Sequence, residues 1–358
     1  MTNFLLTGGG TAGHVNPLLT IAKALSEKST GNNVLVLGTS SGLEARLVPE
    51  AGLPLLLIDR LPFPRKLSFA AIVFPLKFLG AVRKIKTYLK QHKIDIVVGF
   101  GGYVSAPAYL AAKQLKVPIV IHEANALPGI ANKFGNRFAS AAGKAFLSAD
   151  LAHTEFVGMP IRKEILALAK SKDAATARKF FGLKPDTTTL LVTGGSLGAK
   201  KINDTVVSSR AVLSAAGIQV LHIIGGTSEL EEVSEPEYCR VRYVDNMELA
   251  IAASDFAVSR AGSATVSEFS AIGLPALYVP YPVGNGEQKF NIQDVLATGG
   301  AITVADRDFD EQYVRSSLIP VISDSKKLAE MSEAARQAGV TDGTERFIAL
   351  IDEVLSRR

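Results

Sequence analysis

The chain has 358 residues, 47% of them apolar and 20% charged, with 31 glycines and a net charge of +5. At this length that apolar share fills two cores and excludes a disordered chain, while the single Cys239 excludes an internal disulfide and fits a reducing compartment. Residues 1–160 carry 17 Lys and Arg against 8 Asp and Glu, and residues 161–358 carry 22 against 26, so the halves differ in sign; a basic first half suits a phosphorylated acceptor, an anionic lipid surface or nucleic acid.

Met1-Thr2-Asn3 runs directly into a strand, with no charged n-region or cleavage site. Short apolar runs predict strands at 4–7, 34–37, 55–58, 94–98 and 118–122, then at 190–193, 219–224, 240–243, 256–259 and 276–279. Helix-like or loop segments separate them, which predicts an α/β chain with parallel sheets covered on both faces. Gly158-Met159-Pro160 marks a domain boundary, the polar stretch 170–179 reads as an exposed helix opening the second domain, and a last helix spans about 344–357. The expected domains are 1–160, 161–338 and a C-terminal helical segment, 339–358, packing back on the first.

Two of the strands break into glycine-rich turns, Gly8-Gly9-Gly10-Thr11-Ala12-Gly13-His14 and Gly194-Gly195-Ser196-Leu197-Gly198-Ala199. A strand that ends in glycines and restarts as a helix leaves backbone N–H groups at the helix's positive end, where phosphate binds. Two such turns predict two Rossmann-like halves; for the first turn taken alone, glycines that merely let helix pack on strand are the plainer reading. Gly8-x-Gly10-x-x-Gly13 also satisfies the dinucleotide fingerprint. Leu37, however, is followed by Gly38-Thr39-Ser40-Ser41-Gly42, with no carboxylate for a ribose, which disfavours an NAD-dependent oxidoreductase.

A third glycine turn, running from Gly99 through Gly101, Gly102 and Tyr103 to Pro107, lies at the carboxyl edge of the first sheet and suits a second phosphorylated ligand or a plain loop. In the second half, Arg260-Ala261-Gly262-Ser263-Ala264-Thr265 offers a helix start to a diphosphate, with Glu268 in reach of ribose hydroxyls, and Gln288 and Asn291 suit sugar hydroxyls unless they are solvated loop residues. The most apolar stretch, from Leu61, Pro62, Phe63, Pro64, Arg65 and Lys66 through Ile72, Phe74 and Phe78 to Lys90, is interrupted by Pro75 and Lys77 well short of the ~20 residues a span needs. It reads equally as an interfacial anchor on anionic lipid or as a core helix with a basic solvated face.

In their order along nearly the whole chain, GGGTAGHVNP, GFGGYVSAP, HEAN at 122–125, GMPIR at 158–162, GGSLGA, GSATVSE and the PYP to EQKFN segment resemble the MurG family of glycosyltransferases, family 28. The resemblance implies the GT-B fold, two Rossmann-like domains whose parallel sheets face a central cleft. It implies inverting transfer of N-acetylglucosamine from UDP-N-acetylglucosamine to an undecaprenyl-pyrophosphoryl muramoyl-pentapeptide in peptidoglycan synthesis. Further implications are a peripheral position on the cytoplasmic side of the cell membrane, an anionic membrane surface and cell-wall synthesis proteins as partners, no nucleic acid and no cofactor.

By the same resemblance, uracil lies against the backbone near Val244. Ser196, Ser263, Ala264 and Thr265 serve the diphosphate with Arg162, Glu268 takes the ribose, and Gln288 and Asn125 hold the sugar with Thr11, Ala12 and Gly13. The acceptor pyrophosphate lies near Gly8, Gly9, Gly10, Gly101, Gly102 and Tyr103. Ala124, Met159, Leu197 and Glu287 depart from the Gln, Asn, Gln and Gln common in the family.

The chemistry asks for a proton acceptor and for stabilisation of the leaving diphosphate. Arg162 and the helix start at Ser263 suit the second task without a metal, and the chain offers no HExxH or CxxC set. His14, at a helix start that disfavours imidazolium, is the candidate base or else a hydrogen-bond donor to phosphate; Glu123, beside His122, is the alternative base. His92, His153 and His222 read as structural or surface. A nucleotide-sugar epimerase and a non-catalytic sugar-nucleotide-binding module are the rival readings on the same fold.

Overall fold

The computed structural model describes residues 1–61, 63, 69–283 and 286–357. Pro62, Pro64, Arg65 and Lys66 of the apolar-basic stretch lie outside the described residues. The chain forms two compact units, Met1–Pro160 with Asp342–Arg358, and Ile161–Thr341.

In the first unit, β1 (Asn3–Gly8), β2 (Asn33–Gly38), β3 (Leu55–Leu57), β4 (Ile96–Gly101), β5 (Ile119–Glu123), β6 (Ala141–Lys144) and β7 (Glu155–Phe156) make one sheet of order β3-β2-β1-β4-β5-β6-β7, all pairings parallel. The helices are α1 (Ala12–Lys28), α2 (Glu44–Glu50), α3 (Phe69–Gln91), α4 (Ser105–Leu115) and α5 (Ile130–Asn136). Because successive strand residues point to opposite faces, Phe4 and Leu6 join Leu18 and Ile21 of α1, while Leu5 joins Val82 and Ile85 of α3 and Tyr109 of α4. Burial on both faces explains why these strands read as unbroken apolar runs. The final helix, Gly343–Ser356, adds Phe347, Leu350, Ile351 and Val354, one helical stripe, to the α1 side of this sheet.

In the second unit, β8 (Thr189–Thr193), β9 (Gln219–Ile223), β10 (Val233–Glu235), β11 (Tyr238–Val241), β12 (Phe256–Ser259), β13 (Ala276–Tyr278) and β14 (Ala301–Thr303) run in the order β10-β11-β9-β8-β12-β13-β14. Pairing is parallel except for the β10–β11 hairpin at one edge. The helices that matter below are α6 (Lys163–Ala167), α7 (Ala174–Phe180), α8 (Lys200–Ser208), α9 (Arg210–Ala215), α10 (Met247–Ala252) and α11 (Ser263–Ile272).

Three expectations need correction. β6, β7, β10 and β14 are absent from the predicted strands; each has at most four residues and lies at or beside a sheet edge, so none carries a long apolar run. The helix expected to be exposed over 170–179 is α7, which buries Ala177 and Arg178; the guanidinium bonds Asp255 at 2.6 Å and the Pro185 carbonyl at 2.7 Å. The third glycine turn starts later than predicted, because Gly99 and Gly101 are strand residues of β4. Gly99 is there for space: a Cβ on it would lie 1.9 Å from the Tyr109 hydroxyl.

Candidate functional site

In each unit the sheet order reverses between two neighbouring strands, β1 and β4 in the first, β8 and β12 in the second. The carboxyl ends at such a switch point are where open α/β sheets take ligands. All four glycine-rich or small-residue motifs leave these strand ends.

In the first unit, Gly8 pairs with Gly101 after a register shift, and the loops behind them pack backbone on backbone. A Cβ on Gly102, whose φ is +87°, would stand 2.5 Å from the Gly9 carbonyl oxygen. Thr11 caps α1 with its backbone alone; Ala12 and Gly13 form the helix's first turn, and His14 and Val15 donate to the Thr11 carbonyl at 3.1 Å. His14 Nδ1 lies 3.2 Å from the Gly9 carbonyl and 3.2 Å from Thr11 Oγ1. A carbonyl only accepts, so the Gly9 contact puts the ring proton on Nδ1 and leaves the Nε2 lone pair beside Gly101, where a Cβ would lie 3.2 Å away. Burial holds His14 below its ordinary pKa against the opposing pull of the Gly9 bond and the Glu44 charge. Tyr103 is exposed on the loop after β4.

Glu44 was not found by reading the sequence. Its carboxylate, buried in α2, accepts from the Gly10 N–H at 2.9 Å and from the Thr39 N–H and hydroxyl at 3.1 and 2.8 Å. Residues 38–42 carry no carboxylate of their own; Glu44 reaches the end of β2 from the following helix and there takes the Gly10 N–H. The remaining signal in the sequence is a lone Glu among small residues, which carries no direction.

Glu123 is 1% exposed and accepts from the Asn125 and Gly129 backbone at 2.9 and 3.0 Å and from Asn132 Nδ2 at 2.9 Å. Burial raises its pKa while these bonds oppose the rise. Through both oxygens the carboxylate fixes the loop that carries half-buried Asn125. His122 is buried, donates from Nε2 to the Gly158 carbonyl at 2.9 Å, and is lowered to a pKa of about 4 by burial.

In the second unit, α11 opens at Gly262 with no side-chain cap, so Ser263, Ala264 and Thr265 supply its first-turn N–H groups. Exposed Ser196 lies on the loop after β8, in the same unit at the neighbouring strand end. Glu268 follows a turn and a half along α11, and its Oε1 is 3.7 Å from Arg162 Nη2 at the start of α6. Burial lifts the Glu268 pKa to about 7 against the lowering effect of Arg162. Arg162 Nε is buried without a partner. Gln288 Oε1 accepts from the Ala261 and Tyr281 N–H groups at 3.1 and 2.9 Å, which turns its amide nitrogen away from them.

Asn291, read as a sugar contact, is instead 1% exposed and donates to the Ala261 carbonyl at 3.1 Å. Arg260, unassigned from sequence, follows β12, bonds the Val279 carbonyl at 3.0 Å, pairs with Asp306 at 2.6 Å and lies over the Tyr281 ring. Val244 lines a cavity of about 760 Å³ with Phe181, Arg240 and Tyr243, which Ser263 and Glu268 do not line. His222 is interior, bonded to Tyr238 and Asn203 at 2.9 and 3.1 Å.

Two Rossmann-like units, each with an uncapped helix start at its switch point, offer backbone N–H groups of the kind that bind phosphate. The model of the glycosyltransferase family 28 N-terminal domain matches residues 4–144 and that of the family 28 C-terminal domain residues 189–347. A Clavibacter sepedonicus protein, 50% identical over 100% of this chain and 98% of its own, is named UDP-N-acetylglucosamine--N-acetylmuramyl-(pentapeptide) pyrophosphoryl-undecaprenol N-acetylglucosamine transferase. A Streptomyces coelicolor protein of the same name is 44% identical over 99% of this chain and 98% of its own. The crystal structure of Acinetobacter baumannii MurG is similar with a TM-score of 0.79 and 27% identity, covering 99% of this chain and 100% of that one. The chain belongs to glycosyltransferase family 28.

Proposed function

We propose that the protein transfers N-acetylglucosamine from UDP-N-acetylglucosamine to the muramoyl sugar of an undecaprenyl-pyrophosphoryl muramoyl-pentapeptide, with inversion at the anomeric carbon. The observation that carries this is full-length identity of 44–50% to relatives named for that transfer. Those names favour transfer over epimerisation or binding alone.

The roles follow the chemistry of each unit. In the second, the first turn of α11, Ser196 and Arg162 bind the diphosphate, Glu268 accepts from the ribose hydroxyls, and Gln288 donates to the sugar. In the first, His14 Nε2 takes the proton of the attacking hydroxyl as the new C–O bond forms and the bond to the UDP oxygen breaks; the charge left on UDP is met by Arg162 and the α11 dipole. The glycine loops after β1 and β4 serve the acceptor pyrophosphate, Gly10 through its conformation because its N–H is engaged by Glu44.

The protein works in cell-wall synthesis, and hence in cell shape and division, at the cytoplasmic face of the membrane. Support comes from α3, where Ile72 and Leu76 are 74% and 72% exposed and lead through Leu79 to Arg83 on one helical stripe. Among the described residues no helix is long and apolar enough to cross a membrane.

The test is incubation of the protein with UDP-N-acetylglucosamine, with and without a lipid-linked muramoyl-pentapeptide. Glycosylated lipid is expected only when acceptor is present; an epimerised nucleotide sugar without acceptor overturns the reading.

A further inference from the structure

The carbonyl that receives the His14 proton and the N–H that reaches Glu44 belong to one peptide group, that between Gly9 and Gly10. In a trans peptide the two point in opposite directions. The result is a continuous chain: His14 Nδ1–H to the Gly9 oxygen at 3.2 Å, across the peptide, and Gly10 N–H to Glu44 Oε2 at 2.9 Å.

The carboxylate at the far end is built to stay charged. Burial works against its charge, but the bonds from Gly10, its own backbone and Thr39 outweigh burial and hold the carboxyl below its ordinary value. The groups that hold this charge most strongly are hydrogen-bond donors, the Gly10 N–H and both donors of Thr39. Its space is made by glycines: a Cβ on Gly9 would lie 2.6 Å from Oε1, and one on Gly42 would collide with Oε2. Its charge is held by hydrogen bonds, and one of them runs through the same peptide that His14 uses.

We propose that Glu44 is the positioning residue of the transfer reaction, orienting His14 and stabilising its protonated form through the Gly9–Gly10 peptide. The carboxylate polarises the peptide, the peptide oxygen becomes a better acceptor for Nδ1–H, and Nε2 is presented as the stronger base. As Nε2 takes the acceptor proton, the imidazolium faces a fixed negative charge one peptide away. This is the task of the carboxylate in a carboxylate–histidine pair, carried out at one remove. Other titratable groups around the turn are committed elsewhere: Glu123 to Asn125, Gly129 and Asn132, Tyr109 to Asn132, and His122 to Gly158.

This inference rests on His14 being the base, and the test separates the two. Full-length Glu44→Gln is compared with the parent by NMR titration of the His14 imidazole and by kcat and KM for both substrates. The expected result is a His14 that titrates at lower pH, an acidic limb of kcat/KM moved the same way, and a kcat lower by about tenfold or more with KM for UDP-N-acetylglucosamine unchanged. If His14→Ala is slow but His14 titrates alike in parent and Glu44→Gln, the base stands and the Glu44 role falls. If His14→Ala keeps full kcat, the base reading falls and the catalytic role of Glu44 with it. Raised KM values with kcat and titration unaltered reduce Glu44 to loop shaping and overturn the proposal. Should Glu44→Gln not fold, Glu44→Asp keeps the charge but draws it back from Gly10; the same shifts are expected at smaller amplitude, and parental values overturn the proposal.

Discussion

Arg162 and Glu268 face each other at 3.7 Å in the second unit, an ion pair whose carboxylate is lifted to a pKa of about 7 by burial. Ribose hydroxyls donating to that carboxylate favour its charged form, so the complex holds fewer protons than the free protein. UDP affinity therefore rises as pH rises through about 7 and falls below it, by at most tenfold per pH unit for one group. Titration calorimetry in buffers of different ionisation enthalpy should show a proton released on UDP binding near neutral pH. Glu268→Gln should weaken binding and flatten the profile; an unchanged profile in that variant removes Glu268 from the ribose.

Gln288 is where the proposed sugar contact can be tested apart from the nucleotide. Its oxygen is committed to two backbone N–H groups, which leaves the amide N–H₂ as the only part of the side chain able to read a hydroxyl. Gln288→Glu keeps the oxygen pattern and deletes that donor. The KM for UDP-N-acetylglucosamine should rise about tenfold, the size of one lost hydrogen bond, while inhibition by UDP changes less than about twofold. Equal losses for both ligands would place Gln288 outside the sugar contact.

Apolar runs made the central strands legible, since β1, β4, β8 and β12 are buried on both faces and need no alternation. The same physics hid β6 and β14, which are short and carry too little apolar length. Glycine loops marked the strand ends where ligands bind, but not which N–H groups remain open: Glu44 takes Gly10 from 34 residues away. Asn291 and Gln288, three residues apart, looked alike as amides; only the fold buries one as a donor to the Ala261 carbonyl and makes the other an acceptor from the Ala261 and Tyr281 N–H groups. Pairings over such separations have no local signal.

On α3 the structure redirects the membrane test. Phe74 and Phe78, read as anchor residues, pack with their ring centroids 5.9 Å apart against the core, whereas Ile72, Leu76 and Leu79 are exposed. Exchanging the last three for Ser should release the protein from anionic vesicles with its thermal midpoint nearly unchanged. Phe78→Ser should instead lower that midpoint. Undiminished vesicle binding by the triple variant would rule out this stripe as the anchor.

Gly99→Ala tests how the first unit holds its loops. The added Cβ would meet Tyr109 Oη, and that hydroxyl donates to Asn132 at 2.8 Å, which in turn donates to Glu123. Displacing Tyr109 therefore strains both core and loop. A loss of about 1–3 kcal/mol in denaturant unfolding is expected, the range of an overpacked core, together with reduced activity at temperatures where the protein remains folded. A variant as stable as the parent would show that Tyr109 moves aside freely.

His14→Ala tests the chemistry most directly. The side chain sits at the start of α1 with its proton committed to Gly9, so its removal deletes the Nε2 acceptor without touching the α11 turn, Arg162 or Glu268. Donor binding should persist, with KM for UDP-N-acetylglucosamine within about twofold. Loss of general-base catalysis should lower kcat by about 10²-fold or more. Because burial lowers the His14 pKa, the neutral imidazole is the resting form at neutral pH, and the parent's rate should fall on the acidic side as that group is protonated. His14→Ala should lose that limb along with its rate. A parental kcat, or a slow variant that keeps the acidic limb, would assign the proton transfer to another group.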